Sequence, residues 1–423
     1  MSFLRAALAG VACLLCVATA VAAPAGDEVP APSIAAPLQQ AVRRIWASNP
    51  EVQASRAETE AAQARVRAAA QPVYNPSLSF DAENADVDRR TVGLSLPLDL
   101  SGKRRARTSQ ADAEWRSREA SYELLRRDVA TRWLKAWSAA ALAARQREMG
   151  ERRVVLMRRF DALAAERLAV GDISSPERDL AALALGEAQI QQASLASGEA
   201  SALAELEAIA GDAVKASPAL PAGLPPSSGG IVPLPVDDRP ELIKARADEA
   251  AAQAGIDVAR KARLPDPTVS LTGGRVRTGT TTDQVIGLSV SIPLPVLNSG
   301  RAEIDAALAE AGAASAVVRS RQQLTRASLR EAQARYDALR TAGLAFRQGR
   351  AAAFDERTAM LEKLWRAGEI STSDYLVQLK QSLDTALSAL ALESQSWQAW
   401  FDYLTAAGRL TDWLDGRTQD ASP

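Results

Sequence analysis

The 423 residues are 47% hydrophobic and 24% charged, with 50 basic and 51 acidic side chains. That balance excludes global disorder and gives no electrostatic case for nucleic acid as a partner. Histidine is absent, which removes the commonest general base and the commonest transition-metal ligand, and both cysteines, Cys13 and Cys16, stand at the N-terminal end.

Residues 1–23 read as a secretory signal: Arg5 supplies the positive end, 6–19 are apolar and small, and Val21-Ala22-Ala23 fits cleavage after Ala23. The alternative is a lipoprotein acylated on a cysteine. Leu15 before Cys16 is large for such a site, and Gly10-Val11-Ala12 before Cys13 leaves a short apolar run. Cleavage leaves an exported chain without a thiol. No later run reaches the ~20 apolar residues of a membrane helix. Residues 24–37 form a flexible Pro/Ala leader.

A first unit spans 38–210. A helix runs from Leu38 to about Ala70, interrupted at Asn49-Pro50-Glu51, where Asn49 can cap and Pro50 suits a first helical position. Strands follow at about 77–84 and 91–98, separated by a charged loop, 85–90. In the first, Leu78, Phe80 and Ala82 oppose Ser79, Asp81 and Glu83. In the second, Val92, Leu94, Leu96 and Leu98 alternate with small or polar residues. Ser101-Gly102 turns the chain into a helix over 103–168 with no proline. About 66 residues at roughly 1.5 Å each make a rod on the order of 100 Å. Tyr122, Leu125, Val129, Trp133 and Ala136, and then Met157, Phe160 and Ala164, form seam stripes on it. Gly171 stops the helix, Ser174 or Ser175 caps the next, and a return helix runs over 174–209. So short a turn makes the two antiparallel.

Residues 211–237 are a Pro/Gly/Ser-rich linker, and a second unit, 238–410, repeats the first. Asp238-Arg239-Pro240-Glu241 echoes Ser48-Asn49-Pro50-Glu51, and Asp266-Pro267 echoes Asn75-Pro76. Strands at about 268–274 and 284–292 flank a polar loop, 275–282. Ser299-Gly300-Arg301 matches Ser101-Gly102-Lys103. A long helix over 301–366, a turn at 367–374 and a return helix over 371–407 complete the unit, and 411–423 are a tail. The order helix, strand, strand, long helix, return helix thus occurs twice, as an internal duplication.

Each strand shows one apolar face of the height a tilted membrane strand needs. Four strands cannot close a barrel, and an open edge in lipid leaves backbone groups unpaired, so a membrane reading demands oligomerisation. The competing reading is a small soluble sheet packed on helices.

The duplicated order, the helix starts SGKRRAR and NSGRAEI, and the tip turns VGDIS and AGEIS resemble the TolC family of outer-membrane efflux proteins, and within it the CzcC-like heavy-metal branch. The resemblance covers essentially the whole chain after the signal. It implies a mainly α fold with a small membrane β-sheet, long coiled-coil hairpins, and a homotrimer whose protomers each give four strands to one 12-stranded barrel. It also implies a periplasmic adaptor, an inner-membrane RND pump and outer-membrane lipid as partners, no cofactor, and export of heavy-metal cations. Drug or peptide export is the alternative. The missing histidine leaves the metal reading to the branch resemblance alone.

Three sets of residues follow as candidates. Val170, Gly171 and Ile173, with Ala367, Gly368 and Ile370, form two similar apolar tips; the resemblance makes them the adaptor-docking grooves, and the plain reading is that the glycines stop helices. Asp172, Glu177, Glu369 and Asp374 cluster at the same tips. Three copies would bring twelve carboxylates to one mouth, focusing a field that favours cations; the plain reading is helix capping. Lys103, Arg104, Arg105 and Arg107 stand at a helix start, where cations oppose the dipole. They suit lipid phosphates at the periplasmic rim of the barrel, or are simply solvated. An enzyme, lacking histidine and a phosphate loop, a periplasmic adaptor with one hairpin, and a soluble coiled-coil scaffold are the competing functions.

Overall fold

The computed structural model describes residues 35–84, 86–211, 217–348 and 354–414. The signal segment, most of the leader, both cysteines and residues 415–423 lie outside the described residues. The elements, in order, are α1 (Ala35–Ser48), α2 (Pro50–Ala69), β1 (Ser77–Asn84), β2 (Val87–Pro97), α3 (Lys103–Ala169), α4 (Ser175–Ala210), α5 (Pro240–Ala262), β3 (Thr268–Thr278), β4 (Thr281–Ser291), α6 (Arg301–Gln348), α7 (Phe354–Arg366), α8 (Thr372–Ala407) and α9 (Leu410–Leu414). The fold is mainly α with one small antiparallel sheet, as the sequence implies.

The helix α3 organises the packing: α2, α4, α5 and α8 all lie along it, and α6 packs on α5 and α8. Its 67 residues contain no proline, so nothing breaks the ladder of backbone bonds. Two apolar clusters hold the helices. The larger is built on Trp133, Trp137, Tyr336, Trp397, Trp400, Phe401 and Tyr403. The linker crosses this cluster, and its carbonyls accept the aromatic donors: Trp137 Nε1 bonds Pro218 O at 2.8 Å, Trp397 Nε1 bonds Gly223 O at 3.0 Å, and the Tyr336 hydroxyl bonds Pro226 O. A proline-rich segment has carbonyls without matching amides, so burying these rings against it satisfies both sides. Asn49 accepts the amides of Glu51 and Val52 at 2.9 and 3.2 Å and donates to Ile209 O at 3.2 Å, fixing the start of α2 to the end of α4. The expected tail is not wholly a tail. Trp413 and Leu414 of α9 are buried in the same cluster.

The strands form one sheet in the order β1-β2-β3-β4, two hairpins side by side with every neighbour antiparallel. The register is free of bulges, so residues form straight rungs. One face carries Leu78–Leu94–Leu271–Leu288 and Phe80–Val92–Gly273–Ile286. The other carries Ser77–Ser95–Ser270–Ser289 and Ser79–Gly93–Thr272–Gly287. All four leucines of the first rung are exposed. The second face leaves little room at Gly93, where a Cβ would meet Ser79 Oγ at 2.7 Å and Thr272 Cγ2 at 3.1 Å.

The strands outrun the expected loops. Residues 87–90 pair with 275–278, and β3 and β4 join through a tight turn at Gly279 (φ +59°) and Thr280. Polar residues stay extended there because each finds a cross-strand neighbour, such as Glu83 opposite Arg89.

Candidate functional site

The two helical tips have the same construction. The helix α3 ends in a left-handed Gly171 (φ +79°), whose amide bonds Leu168 O at 3.1 Å while the Asp172 amide bonds Arg167 O at 2.9 Å. After α7, Gly368 (φ +75°) bonds Trp365 O at 3.0 Å and Glu369 bonds Leu364 O at 3.0 Å. Both are Schellman closures, which satisfy the last free carbonyls of a helix. Three residues later a serine caps the return helix, Ser174 for α4 and Ser371 for α8. Three residues further stands an acid. The Ser174 amide and hydroxyl donate to Glu177 Oε2 at 2.8 and 2.9 Å, and the Ser371 hydroxyl donates to Asp374 Oδ2 at 2.7 Å while accepting the Asp374 amide at 3.0 Å.

The four acids therefore fall into two equivalent pairs. Asp172 and Glu369 follow the tip glycines and are exposed. Glu177 and Asp374 are both tied to capping serines. The Ser174 amide and hydroxyl, with the Thr372 hydroxyl from the other tip, hold the Glu177 carboxyl below the usual range. Arg167 joins the tips from a second direction. Its guanidinium stacks 4.8 Å from the Trp365 ring and reaches Trp365 O at 3.4 Å. Beneath lies a triad of rings, Phe160, Trp365 and Tyr375, with centroids 4.8–5.3 Å apart. Burial pushes the Tyr375 phenol up to about 12.

The apolar tip residues do not all face outward. Val170 is exposed, and Gly171, Ala367 and Gly368 are open to solvent. Ile173 and Ile370 are instead half-buried and pack against the apolar cluster that contains these rings. The two isoleucines, grouped with the tip surface by the sequence, thus contribute partly to the core.

At the base of the sheet, the basic cluster divides. Lys103 Nζ lies 2.7 Å from Asp266 Oδ2, and the Tyr74 hydroxyl bonds the same oxygen at 2.6 Å. Both charged side chains are largely buried, so Lys103 is held inside the protein. Arg104, Arg105 and Arg107 are exposed. What offsets cations at this helix start is Asp99, a residue the sequence reading passed over. It accepts the amides of Lys103 and Arg104, each at 2.8 Å. Burial works against its charge, but the amides of Arg104, Lys103 and Gly102 outweigh it and leave the carboxyl below its usual range. Its signal was an acid four residues before the first helical residue. A second overlooked residue is Arg153, buried on α3, which bonds Asp384 Oδ1 of α8 at 2.7 Å.

Among the described residues no group of histidine, cysteine, aspartate and glutamate side chains could hold a metal ion, and no helix is long and apolar enough to cross a membrane.

The family model for outer membrane efflux proteins matches residues 41–212 and 236–409, one match for each run of repeated elements. The chain is 27% identical over 272 residues to the nickel-cobalt-cadmium resistance protein NccC of Alcaligenes xylosoxydans xylosoxydans, a match taking in 62% of this chain and 60% of that protein. It is 25% identical over 287 residues to the cobalt-zinc-cadmium resistance protein CzcC of Cupriavidus metallidurans, covering 65% of this chain and 66% of that protein. Its fold is similar to the CmeC outer membrane channel of Campylobacter jejuni, with a TM-score of 0.72 at 15% identity over 91% of this chain and 90% of that one. The chain therefore belongs to the outer membrane efflux protein family, and it is a protein of the outer membrane.

Proposed function

We propose that this chain forms the exit duct of a tripartite efflux system for heavy-metal cations. The observation that carries this reading is the sheet. One face is apolar and exposed, the other is small and polar, and β1 and β4 are left as open edges. In hydrocarbon those edges would leave rows of amides and carbonyls unpaired, at several kcal/mol each. Pairing β1 of one copy with β4 of the next removes them, and three copies give a closed barrel of twelve strands around a serine-lined lumen. The helices then continue the passage through the periplasm towards an adaptor and an inner-membrane RND pump.

The metal reading is supported by the names of NccC and CzcC and by the four acids at the tips. Duct transport asks for no resident ligand set; a negative mouth raises the local concentration of cations without holding one. In this reading Val170, Gly171, Ala367 and Gly368 form the surface that meets the adaptor. Ile173 and Ile370 shape that surface from below, and Arg104, Arg105 and Arg107 lie at the periplasmic rim near lipid phosphates.

The test is deletion of the gene, followed by growth and cell-metal measurements with cobalt, nickel, zinc and cadmium beside a panel of drugs. Metal sensitivity with raised cellular metal is the expected result. Sensitivity to drugs alone would replace the substrate class and leave the duct standing.

A further inference from the structure

The rung that ends the apolar face carries paired arginines. Two residues beyond Phe80–Val92–Gly273–Ile286, on the same face, stand Ala82, Arg90, Arg275 and Gln284, with Arg90 directly opposite Arg275. The next rung on that face sets Arg277 opposite Asp88. Arg90 is highly exposed and lies 3.5 Å from Asp88, while Arg275 is exposed and has no ion pair among the described residues. Like charges directly opposite one another destabilise a strand pair. The sheet keeps them together, and only on this face. On the serine-bearing face the same end carries Asp81, Glu83 and Asp283 against the single Arg89. The charges are thus sorted by face: basic above the leucines, acidic above the serines.

We propose that Arg90, Arg275 and Arg277 bind the phosphate groups of phosphorylated lipid headgroups in the outer leaflet. The inference rests on the barrel reading above. An arginine on a lipid-facing strand is tolerated where hydrocarbon gives way to headgroups, and this rung is where the apolar rungs stop. Guanidinium groups match phosphate oxygens in two-pronged geometry, and a bound phosphate turns the Arg90–Arg275 repulsion into shared attraction. The excess of positive charge on the face suits an anionic partner, and its continuity with the leucine rungs selects a lipid over a soluble anion.

The experiment is native mass spectrometry of the purified oligomer offered lipid A with two phosphates or the same lipid dephosphorylated. Insertion and oligomer size are read in the same spectra. The wild-type chain should prefer the phosphorylated lipid. R90Q/R275Q should lose that preference by about tenfold, as expected for charge-assisted hydrogen bonds, and remain an inserted oligomer. R89Q, on the serine-bearing face, should keep it. Equal binding of the two lipids by the wild type, or an unchanged preference in R90Q/R275Q, would overturn the proposal while leaving the barrel intact. Displacement of the lipid by inorganic phosphate alone would overturn its lipid specificity. A wild-type chain that forms no inserted oligomer would overturn the barrel reading, and this one with it.

Discussion

Lys103 and Asp266 are 163 residues apart in the chain and 2.7 Å apart in the fold. One opens α3 in the first half; the other precedes β3 in the second. Their ion pair, shared with the Tyr74 hydroxyl, fastens both strand entries to the start of the longest helix. Among the described residues Asp266 Oδ1 has no hydrogen-bond partner, so its charge is balanced through contacts to the other oxygen.

Removing one member should therefore cost more than removing both. Lys103→Met leaves a buried carboxylate with only Tyr74 beside it, at a cost of about 3 kcal/mol. The double variant Lys103→Met/Asp266→Leu should recover much of that loss. Urea unfolding of the solubilised protein, followed by tryptophan fluorescence, checks both. Equal losses in the single and double variants would mean that the pair contributes no more than packing. The Asp266 bond also raises the Tyr74 phenol, with burial adding to it. That part of the stability is present below the usual tyrosine value of 10.0 and fades as pH rises through the higher folded value.

The tips should loosen in acid. The Ser174 amide and hydroxyl lower the Glu177 carboxyl from the usual 4.5. A lowered acid stabilises the fold above 4.5, and its contribution is lost as pH falls through the lower folded value. Hydrogen-exchange protection in the first turn of α4, taken relative to the intrinsic rate, should fall below about pH 4.5. Glu177→Gln should exchange faster at neutral pH and show no such step. An identical profile in the variant would place the sensitivity in another group.

The tip glycines offer room for a side chain but a backbone that resists one. An ideal Cβ on Gly171 or Gly368 meets nothing within 4 Å, yet both residues are left-handed. Gly171→Ala and Gly368→Ala should each cost about 1 kcal/mol through backbone conformation. Tryptophan at either position adds bulk that points to solvent. Oligomers should still form, while cross-linking to the adaptor should fall sharply. Normal cross-linking would move the docking surface away from the tips.

Much of the fold was legible because it rests on period. Alternation over 91–98 and 268–274 and the seam stripes on α3 gave elements that the structure contains. The tip acids were legible as to position, since both follow glycine and serine at fixed offsets. What was not legible depended on distant partners. Nothing near Lys103 in sequence announces Asp266, so its charge read as a free cation. Ile173 and Ile370 read as part of the tip surface because the cluster they pack on is assembled from four helices, α3, α4, α7 and α8. Residues 275–278 read as loop because a polar strand is specified by its partner strand, which a single segment cannot show.

The central claim is that the open edges β1 and β4 meet between copies. Within one chain they are separated by β2 and β3, roughly 14 Å at a strand spacing of about 4.8 Å, too far for a disulfide. Single cysteines scanned along β1 and paired with single cysteines along β4, with Cys13 and Cys16 replaced, should on oxidation give covalent species in membranes. The account predicts a ladder of one, two and three chains that stops at three. Monomer at every pair, or a ladder that continues past three, would contradict it.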